Sequence, residues 1–473
     1  MKNVLILGGS FNPITNEHLN IVRKVLRKLN IDEVYFLIAK NPRWKESLDV
    51  SHRLKMLKLA LKNYPKYKVL DIELKSDSSV NYTYDSMKLF KTRNKKIYYI
   101  IGSDQLNKLH EWYNIDLLKD LVTFVLIRRK GYRNNKKNIL KYNVLDLNIK
   151  GNETSSTLIR QYLSNNAPKE VMEYIYNHHL YLEESLKVRL DEHRFNHSLS
   201  VASLAKEIAL SNNIDANKAY IAGLLHDVAK CLPFTETNKI MHEHFSEYLN
   251  KNKSLFHQYV GSLLVQEIYH IKDKDIINAI KFHTTANLNL NTLGKIIFAS
   301  DKLDPLRGYD SSKLINLCKL NIEVGYNNCL FDNHEYLINH NVALDKESEE
   351  IYMKALKENE LLLLKAINDT ILDKKGENIT IIDMKEHSAD FSYFIICSCD
   401  NARLASTIAY EIEDKLAELN YNIKRIEGRN DNEWVLVDAN DYIIHIFVKE
   451  ARNKYNLEKL YSDLKRVELD ENN

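Results

Sequence analysis

Cysteine, glycine and proline are all scarce in this chain. Its 473 residues hold 12 glycines and 6 prolines, while Asn, Lys and Ile are abundant, a pattern that reads as codon bias of an AT-rich genome and excludes no function. The five cysteines, Cys231, Cys318, Cys329, Cys397 and Cys399, are odd in number and lack the paired spacing of a zinc site. That excludes a disulfide framework and fits reduced thiols in the cytosol. Cys397 and Cys399 would share one face of a strand and read as small buried side chains. No apolar run reaches membrane-spanning length, and Met1 leads directly into Val4-Leu5-Ile6-Leu7 without room for a signal peptide. The expectation is a cytoplasmic protein without a membrane partner. Charge excess is missing too: 67 Lys and Arg against 64 Asp and Glu give +3, which argues against direct sequence-specific nucleic-acid binding. A local surface for a ribonucleoprotein stays open.

What is present is enough apolar residue, 44% of a long chain, for two to four domains, each with a core. Up to about residue 182, apolar runs at Val4–Leu7, Val34–Ile38, Val69–Ile72, Ile97–Ile101 and Val122–Ile127 alternate with helical stripes such as Val22, Val25, Leu26, Leu29. Such alternation predicts a parallel, doubly wound α/β sheet whose ligand sits at the carboxyl ends of the strands. Gly8-Gly9-Ser10-Phe11-Asn-Pro-Ile-Thr15-Asn-Glu17-His18 falls there, where backbone amides suit a phosphate. A second phosphate element, Ser155-Ser156-Thr157-Leu-Ile-Arg160, places hydroxyls at a helix start and a guanidinium one turn later.

The T-x-x-H element resembles the class I, Rossmann-like nucleotidyltransferases. More narrowly, Ser51-His-Arg53, Asn81-Tyr-Thr83-Tyr-Asp85, Ile101-Gly102-Ser-Asp104 and Leu109-His-Glu-Trp112 make residues 1–182 similar to nicotinate-nucleotide adenylyltransferases. The resemblance implies transfer of AMP from ATP, with Mg²⁺, to nicotinic acid mononucleotide. It implies that His18 stabilises the α-phosphate, that Gly8, Gly9, Ser10, Phe11, Thr15, Lys45, Ser155, Ser156, Thr157 and Arg160 hold ATP, and that Thr83, Asp104 and Trp112 hold the mononucleotide. The usual H-x-G-H reads Thr15-Asn-Glu17-His18 here, and Glu17 bears on the choice between nicotinate and nicotinamide mononucleotide.

The middle third carries six metal-type side chains in five segments: His197, the pair His226-Asp227, His257, His283 and Asp301. Stripes at Val201, Leu204, Ala205, Ile208 and at Ile221, Leu224, Leu225, Val228 place the doublet within a helix and His197 just before one. A third stripe, Ile276, Ala279, Ile280, runs on to His283; Asp301, one turn after Ile297, is the only one of the six outside a predicted helical stretch. Imidazoles and carboxylates converging from several helices suit one or two transition metals, and such a pair can activate water against phosphorus. Lys230, one turn past the doublet, is placed to neutralise a leaving phosphate. With Arg194-Phe-Asn-His197 and Leu225-His-Asp-Val-Ala-Lys230, the region resembles the HD phosphohydrolase superfamily, and within it the symmetrical bis(5'-nucleosyl)-tetraphosphatases. That implies an all-α domain over 183–357 with a di-iron or other transition-metal centre, splitting diadenosine tetraphosphate into two ADP, with Asp227 and Lys230 catalytic.

Beyond a charged stretch at 345–360, a helix through Leu361–Ile367 opens a last segment, 358–473, whose strands and one helix predict a small α+β domain. His445 reads as a sheet-surface residue. Trp434-Val-Leu-Val-Asp438 and His445-Ile-Phe-Val-Lys-Glu450-Ala-Arg452-Asn-Lys-Tyr455 resemble the ribosomal silencing factor (Iojap) family. That implies docking on the large ribosomal subunit through protein uL14 and repression of translation, with Trp434, Asp438, Glu450, Arg452 and Tyr455 as candidates for the interface. Two rival readings stay open: a nicotinamide-preferring transferase joined to an HD nucleotidase of other specificity, and a ribosome-associated scaffold with inactive enzyme modules.

Overall fold

The computed structural model describes residues 1–42, 47–78, 80–152, 155–342, 344–428 and 432–469. They fall into two compact units, Met1–Glu192 with Val265–Ile271, and His193–Leu264 with Lys272–Asn473.

The first unit is built on strands β1 (Lys2–Gly9), β2 (Glu33–Ile38), β3 (Tyr67–Leu70), β4 (Lys95–Gly102), β5 (Val122–Arg128) and β6 (Leu145–Lys150). Their order is β3-β2-β1-β4-β5-β6, and every pair is parallel. Alternate residues of β1 feed two cores: Leu5 and Leu7 pack with Val22, Phe36 and Met56, whereas Val4 and Ile6 pack with Ile101, Leu118 and Phe124. Burial on both faces explains why these strands read as unbroken apolar runs. The edge strand β6 escapes that signal because only Ile149 is fully buried. Chain order reverses around β1, which leaves a crevice at the carboxyl ends of β1 and β4. Helix α1 (Asn16–Leu26) starts at that crevice with Thr15 as its cap, α2 (Val50–Leu61) covers one face, and the short α3 (Ser156–Arg160) starts at Ser155.

Among the described residues of 193–345 there is no strand. The helices that matter are α4 (Glu192–Ser211), α5 (Ala216–Leu225), α6 (Phe256–Glu267), α7 (Lys274–Lys281), α8 (Thr292–Lys302), α9 (Ser312–Leu320) and α10 (Ile322–Asn339). A Cβ on Gly223 would come within 2.9 Å of Ala202 Cα, so this glycine lets α5 cross α4 closely beside the metal-type residues. Three placements differ from the periodicity. His197 lies inside α4 and Asp301 inside α8, whereas His226 is the residue that ends α5 and Asp227 follows it. A stripe marks which face is buried, not where the hydrogen-bonded ladder stops.

The third part has a mixed sheet of β7 (Glu377–Asp383), β8 (Tyr393–Cys399), β9 (Arg425–Glu427), β10 (Trp434–Ala439) and β11 (Tyr442–Val448), in order β7-β8-β11-β10-β9 with β8 and β11 parallel. It is joined to the helical region by α11 (Lys346–Asp373), 28 residues without a break. The charged run expected to precede a helix is its solvated face, capped by Asp345 and carrying Lys346–Glu350 and Lys354–Glu358 pairs one turn apart. Leu363, Leu364, Ile367 and Ile371 of α11 share one core with α12 (Ala402–Glu418), the buried Cys397 and Cys399, and Leu317 and Val324 from α9 and α10. No helix among the described residues is long and apolar enough to cross a membrane.

Candidate active sites

Two adjoining cavities, of about 560 and 890 Å³, open at the crevice of the first unit and share Gly8, Gly9, Ser10 and Gln105. Gly8 has no alternative here: a Cβ would sit 2.2 Å from the Tyr99 hydroxyl. The smaller cavity gathers Phe11, Thr15, His18, Ser155, Ser156, Thr157 and Arg160, all expected to hold ATP. Their mutual bonds are tight. Ser156 Oγ donates to the Pro13 carbonyl at 2.9 Å, and Arg160 donates to the Asn12 carbonyl at 2.7 Å and to Glu184 at 2.7 Å, so the two phosphate elements hold each other. Thr15 N donates to His18 Nδ1 at 3.0 Å. That ring nitrogen is therefore bare, and the proton of the neutral imidazole sits on Nε2. Burial and the neighbouring Arg129 cation lower the His18 pKa to about 4, so the neutral form is the working one.

The larger cavity is lined by Thr83, Trp112, Asn81 and Tyr113 among others, with the Trp112 ring set edge-on to Tyr99 and Phe124. Asp104 lines neither cavity; its carboxylate lies 3.3 Å from Arg129, which does line the smaller one. Lys45 lies outside the described residues. Three further residues carry the architecture. Arg53, 1% exposed, donates to the carbonyls of Ser10, Ala39, Lys40 and Leu48. Arg129 brings a cation to the phosphate side. Glu17, buried, lines the smaller cavity and not the larger, and accepts from Asn152 N at 2.8 Å. The departure from H-x-G-H thus lies on the smaller cavity, the one expected to take ATP.

All six metal-type residues converge in the second unit. His226, His257 and His283 each donate Nδ1–H to the carbonyl three residues upstream, Gly223, Ser254 and Ile280, at 2.6, 2.7 and 2.8 Å. His197 donates Nδ1–H to Asp304 at 2.6 Å. With the tautomers so fixed, all four Nε2 atoms present lone pairs. Around Asp227, His257 Nε2 and His283 Nε2 lie 3.3 and 3.6 Å from Oδ1, and His226 Nε2 lies 3.8 Å from Oδ2; His197 Nε2 lies 3.2 Å from Asp301 Oδ1. The His257 and His283 Nε2 atoms are 3.3 Å apart. Bare lone pairs facing carboxylates and one another repel unless a cation lies among them, and buried His197 and His226 Nε2 have no hydrogen-bond partner. Two groups of compatible ligand atoms emerge, His197/His226/Asp227 and Asp227/His257/His283, with Asp227 common to both. The donor set fits a pair of divalent transition metals.

Burial lowers the His226 pKa to about 4. Cations ring the centre: Lys230 Nζ is 3.2 Å from His257 Nε2, Arg194 is 3.2 Å from Asp227 Oδ2, and Arg307 is 2.7 Å from Asp301 Oδ1. Burial lowers the Lys230 pKa.

In the third part the five candidates separate. Tyr455 is 49% exposed and stands beside Trp434, and Glu450 is exposed. Arg452 is tied to Glu458, the Asn378 carbonyl and Ser398, while Asp438 is 8% exposed near Arg425. His445 is buried, not on the sheet surface, and accepts from Trp434 Nε1 at 3.3 Å. A cavity of about 580 Å³ between α11 and α12 contains none of the candidates.

Family models match three stretches: cytidylyltransferase-like over 6–162, HD domain over 194–306, and ribosomal silencing factor during starvation over 357–473. Fold and sites together define a nucleotidyltransferase and an HD-domain hydrolase in one enzyme, with a ribosomal-silencing-factor module; the HD domain implies a divalent metal. A Mycoplasma genitalium protein named "probable nicotinate-nucleotide adenylyltransferase/Ap4A hydrolase" is 36% identical over 337 residues, 69% of this chain and 96% of the relative. One of the same name from Mycoplasma pneumoniae is 30% identical over 341 residues, 68% of this chain and 96% of the relative. The chain belongs to this nicotinate-nucleotide adenylyltransferase/Ap4A hydrolase family. Among solved structures, Plasmodium falciparum nicotinic acid mononucleotide adenylyltransferase complexed with NaAD is 25% identical, with 38% of this chain and 98% of that one covered and a TM-score of 0.33.

Proposed function

We propose three modules, 1–182, 183–357 and 358–473, that respectively make nicotinate adenine dinucleotide from ATP and nicotinic acid mononucleotide, cleave diadenosine tetraphosphate symmetrically to two ADP, and dock on the large ribosomal subunit through uL14 in the cytoplasm. Two observations carry the catalytic reading, one in each unit: the convergence of four tautomer-fixed imidazoles on Asp227 in the second, and a phosphate crevice with a neutral histidine in the first.

In adenylyl transfer, an oxygen of the mononucleotide phosphate attacks the α-phosphorus in line, the bond to the β-phosphate oxygen breaks, and pyrophosphate leaves. His18 donates Nε2–H to a non-bridging α-phosphate oxygen, where charge builds. Arg129 and the amides at Gly8–Ser10 face the phosphates, and Trp112 and Thr83 orient the acceptor ring. Mg²⁺, when bound to the nucleotide, supplies further neutralisation. In the second unit His197, His226, Asp227 and Asp301 would hold one divalent metal and Asp227, His257 and His283 the other; when bound, the pair supplies Lewis acidity and lowers the pKa of a water. Lys230 and Arg194 offset the charge of the departing ADP. Iron is the metal this reading favours.

The test is direct. Purified protein with Mg²⁺, ATP and nicotinic acid mononucleotide releases pyrophosphate, and the same preparation turns diadenosine tetraphosphate into ADP alone. AMP plus ATP as products would overturn the symmetrical assignment. For the third module, the full chain sediments with large ribosomal subunits and Trp434→Ala weakens that association.

A further inference from the structure

Three of the four histidines in the metal centre are held alike, and one is not. His226, His257 and His283 use backbone carbonyls of their own segments as Nδ1–H acceptors. His197 uses the Asp304 carboxylate, 1% exposed, 2.6 Å away. A charged acceptor makes the stronger hydrogen bond and raises the donor power of Nε2.

Asp304 serves more than His197. Its other oxygen accepts Ser200 Oγ at 2.5 Å, one turn beyond His197 on α4, and Leu306 N at 3.2 Å. From the same turn, Arg307 donates to the Asp301 carbonyl at 2.8 Å and to Asp301 Oδ1 at 2.7 Å. Residues 304–307 therefore fix two ligands, His197 and Asp301, and Asp301 Oδ1 lies 3.2 Å from His197 Nε2 and 3.8 Å from His226 Nε2. We propose that Asp304 is a positioning residue that makes the two metal positions unequal: the His197/His226/Asp301 position binds the tighter ion, and the His257/His283 position the weaker.

The chemistry of the substitution is specific. Asp304 receives three N–H or O–H donors on two oxygens, whereas an asparagine has one oxygen and an NH₂ group. If that oxygen keeps the cap on Leu306, the NH₂ faces His197 Nδ1 and drives the imidazole proton onto Nε2, where the ligand lone pair should be.

The inference rests on the metal-centre reading above, and the experiment separates the two. The full chain, stripped of metal, is titrated with Mn²⁺ and followed by electron paramagnetic resonance and elemental analysis. Wild type takes up two ions in two unequal steps; His283→Ala keeps the tight step and loses the weak one. Asp304→Asn weakens the tight step by about 10- to 100-fold and spares the other. Ser200→Ala, which leaves the carboxylate on His197, keeps both steps. Equal steps in wild type, loss of the tight step in His283→Ala, or the same loss in Ser200→Ala overturns the inference even where Asp304→Asn does not fold. Uptake unaffected by Asp227→Ala would instead sink the metal-centre reading itself.

Discussion

The backbone nitrogen of Thr15 donates to His18 Nδ1 across 3.0 Å, which fixes the imidazole proton on Nε2 before any nucleotide arrives. The helix cap and the phosphate donor are one device: Thr15 Oγ1 lies 2.8 Å from the same nitrogen and also faces His18 N. A buried, neutral imidazole hydrogen-bonds to charge that builds in the transition state without bringing a full cation to the ground state.

His18 therefore sets a pH dependence whose sign follows from its burial. Its folded pKa of about 4 lies below the ordinary 6.5, so the unfolded chain binds the extra proton first. The stability this contributes is present above about pH 6.5 and is lost as pH falls toward 4. Adenylyl transfer by wild type should show no inflection from His18 between pH 8 and 5, and the imidazole signal in NMR should titrate near 4. An inflection at 6.5 would mean a solvated histidine. His18→Ala should lower kcat by about 10²- to 10³-fold.

Glu17 should act on ATP and not on the choice of pyridine. Its carboxylate accepts from Asn152 N at 2.8 Å and from Asn20 at 3.1 Å, on the cavity opposite Thr83 and Trp112. Glu17→Gly frees the 151–152 backbone that leads to Ser155. Steady-state kinetics should show a severalfold higher KM for ATP, with the ratio of nicotinate to nicotinamide mononucleotide turnover unchanged. A changed ratio would put Glu17 on the acceptor side after all.

Much of both sites is legible in the sequence, and what is not legible shares a cause. His18, Arg160 and the six metal-type residues sit in short segments whose composition announces chemistry. Asp304, Arg129 and Arg53 act through partners 107, 25 and 43 positions away, at His197, Asp104 and Ser10, and no local spacing encodes such distances. His445 alternates correctly for a strand, but both faces of this sheet are covered, so alternation did not mean exposure. The sequence alone puts a boundary in the middle of α11, at the charged stretch where the apolar stripe narrows, although the hydrogen-bonded ladder runs on.

Lys230 and Asp227 should fail differently. Asp227 serves both groups of ligand atoms, so Asp227→Ala should strip both metals and abolish hydrolysis. Lys230 belongs to neither group and touches His257 from outside. Lys230→Met should retain the metal content of wild type and lower kcat for diadenosine tetraphosphate by about 10²-fold, as expected for loss of one charge-stabilising donor. Elemental analysis beside product formation separates the two; metal loss in Lys230→Met would make it a structural residue of the centre.

The hydrolase and ribosomal-silencing parts should melt together. At 1.5 Å per residue, α11 runs about 40 Å. Its first half is held by Lys251, which bridges Asp345 at 2.6 Å and Glu347 at 2.8 Å. Its second half puts Leu363, Leu364 and Ile367 into a core that also contains Leu317 and Val324 of the helical region. Ile367, 1% exposed, touches this shared core, and Ile367→Ala should cost about 2–5 kcal/mol through lost burial and the cavity left behind. Calorimetry of the full chain should show that loss in one transition, with metal release and exposure of the third sheet at the same temperature, while adenylyl transfer by the first unit persists. Two separate transitions, with only one shifted, would show that α11 is a tether rather than a shared wall of the core.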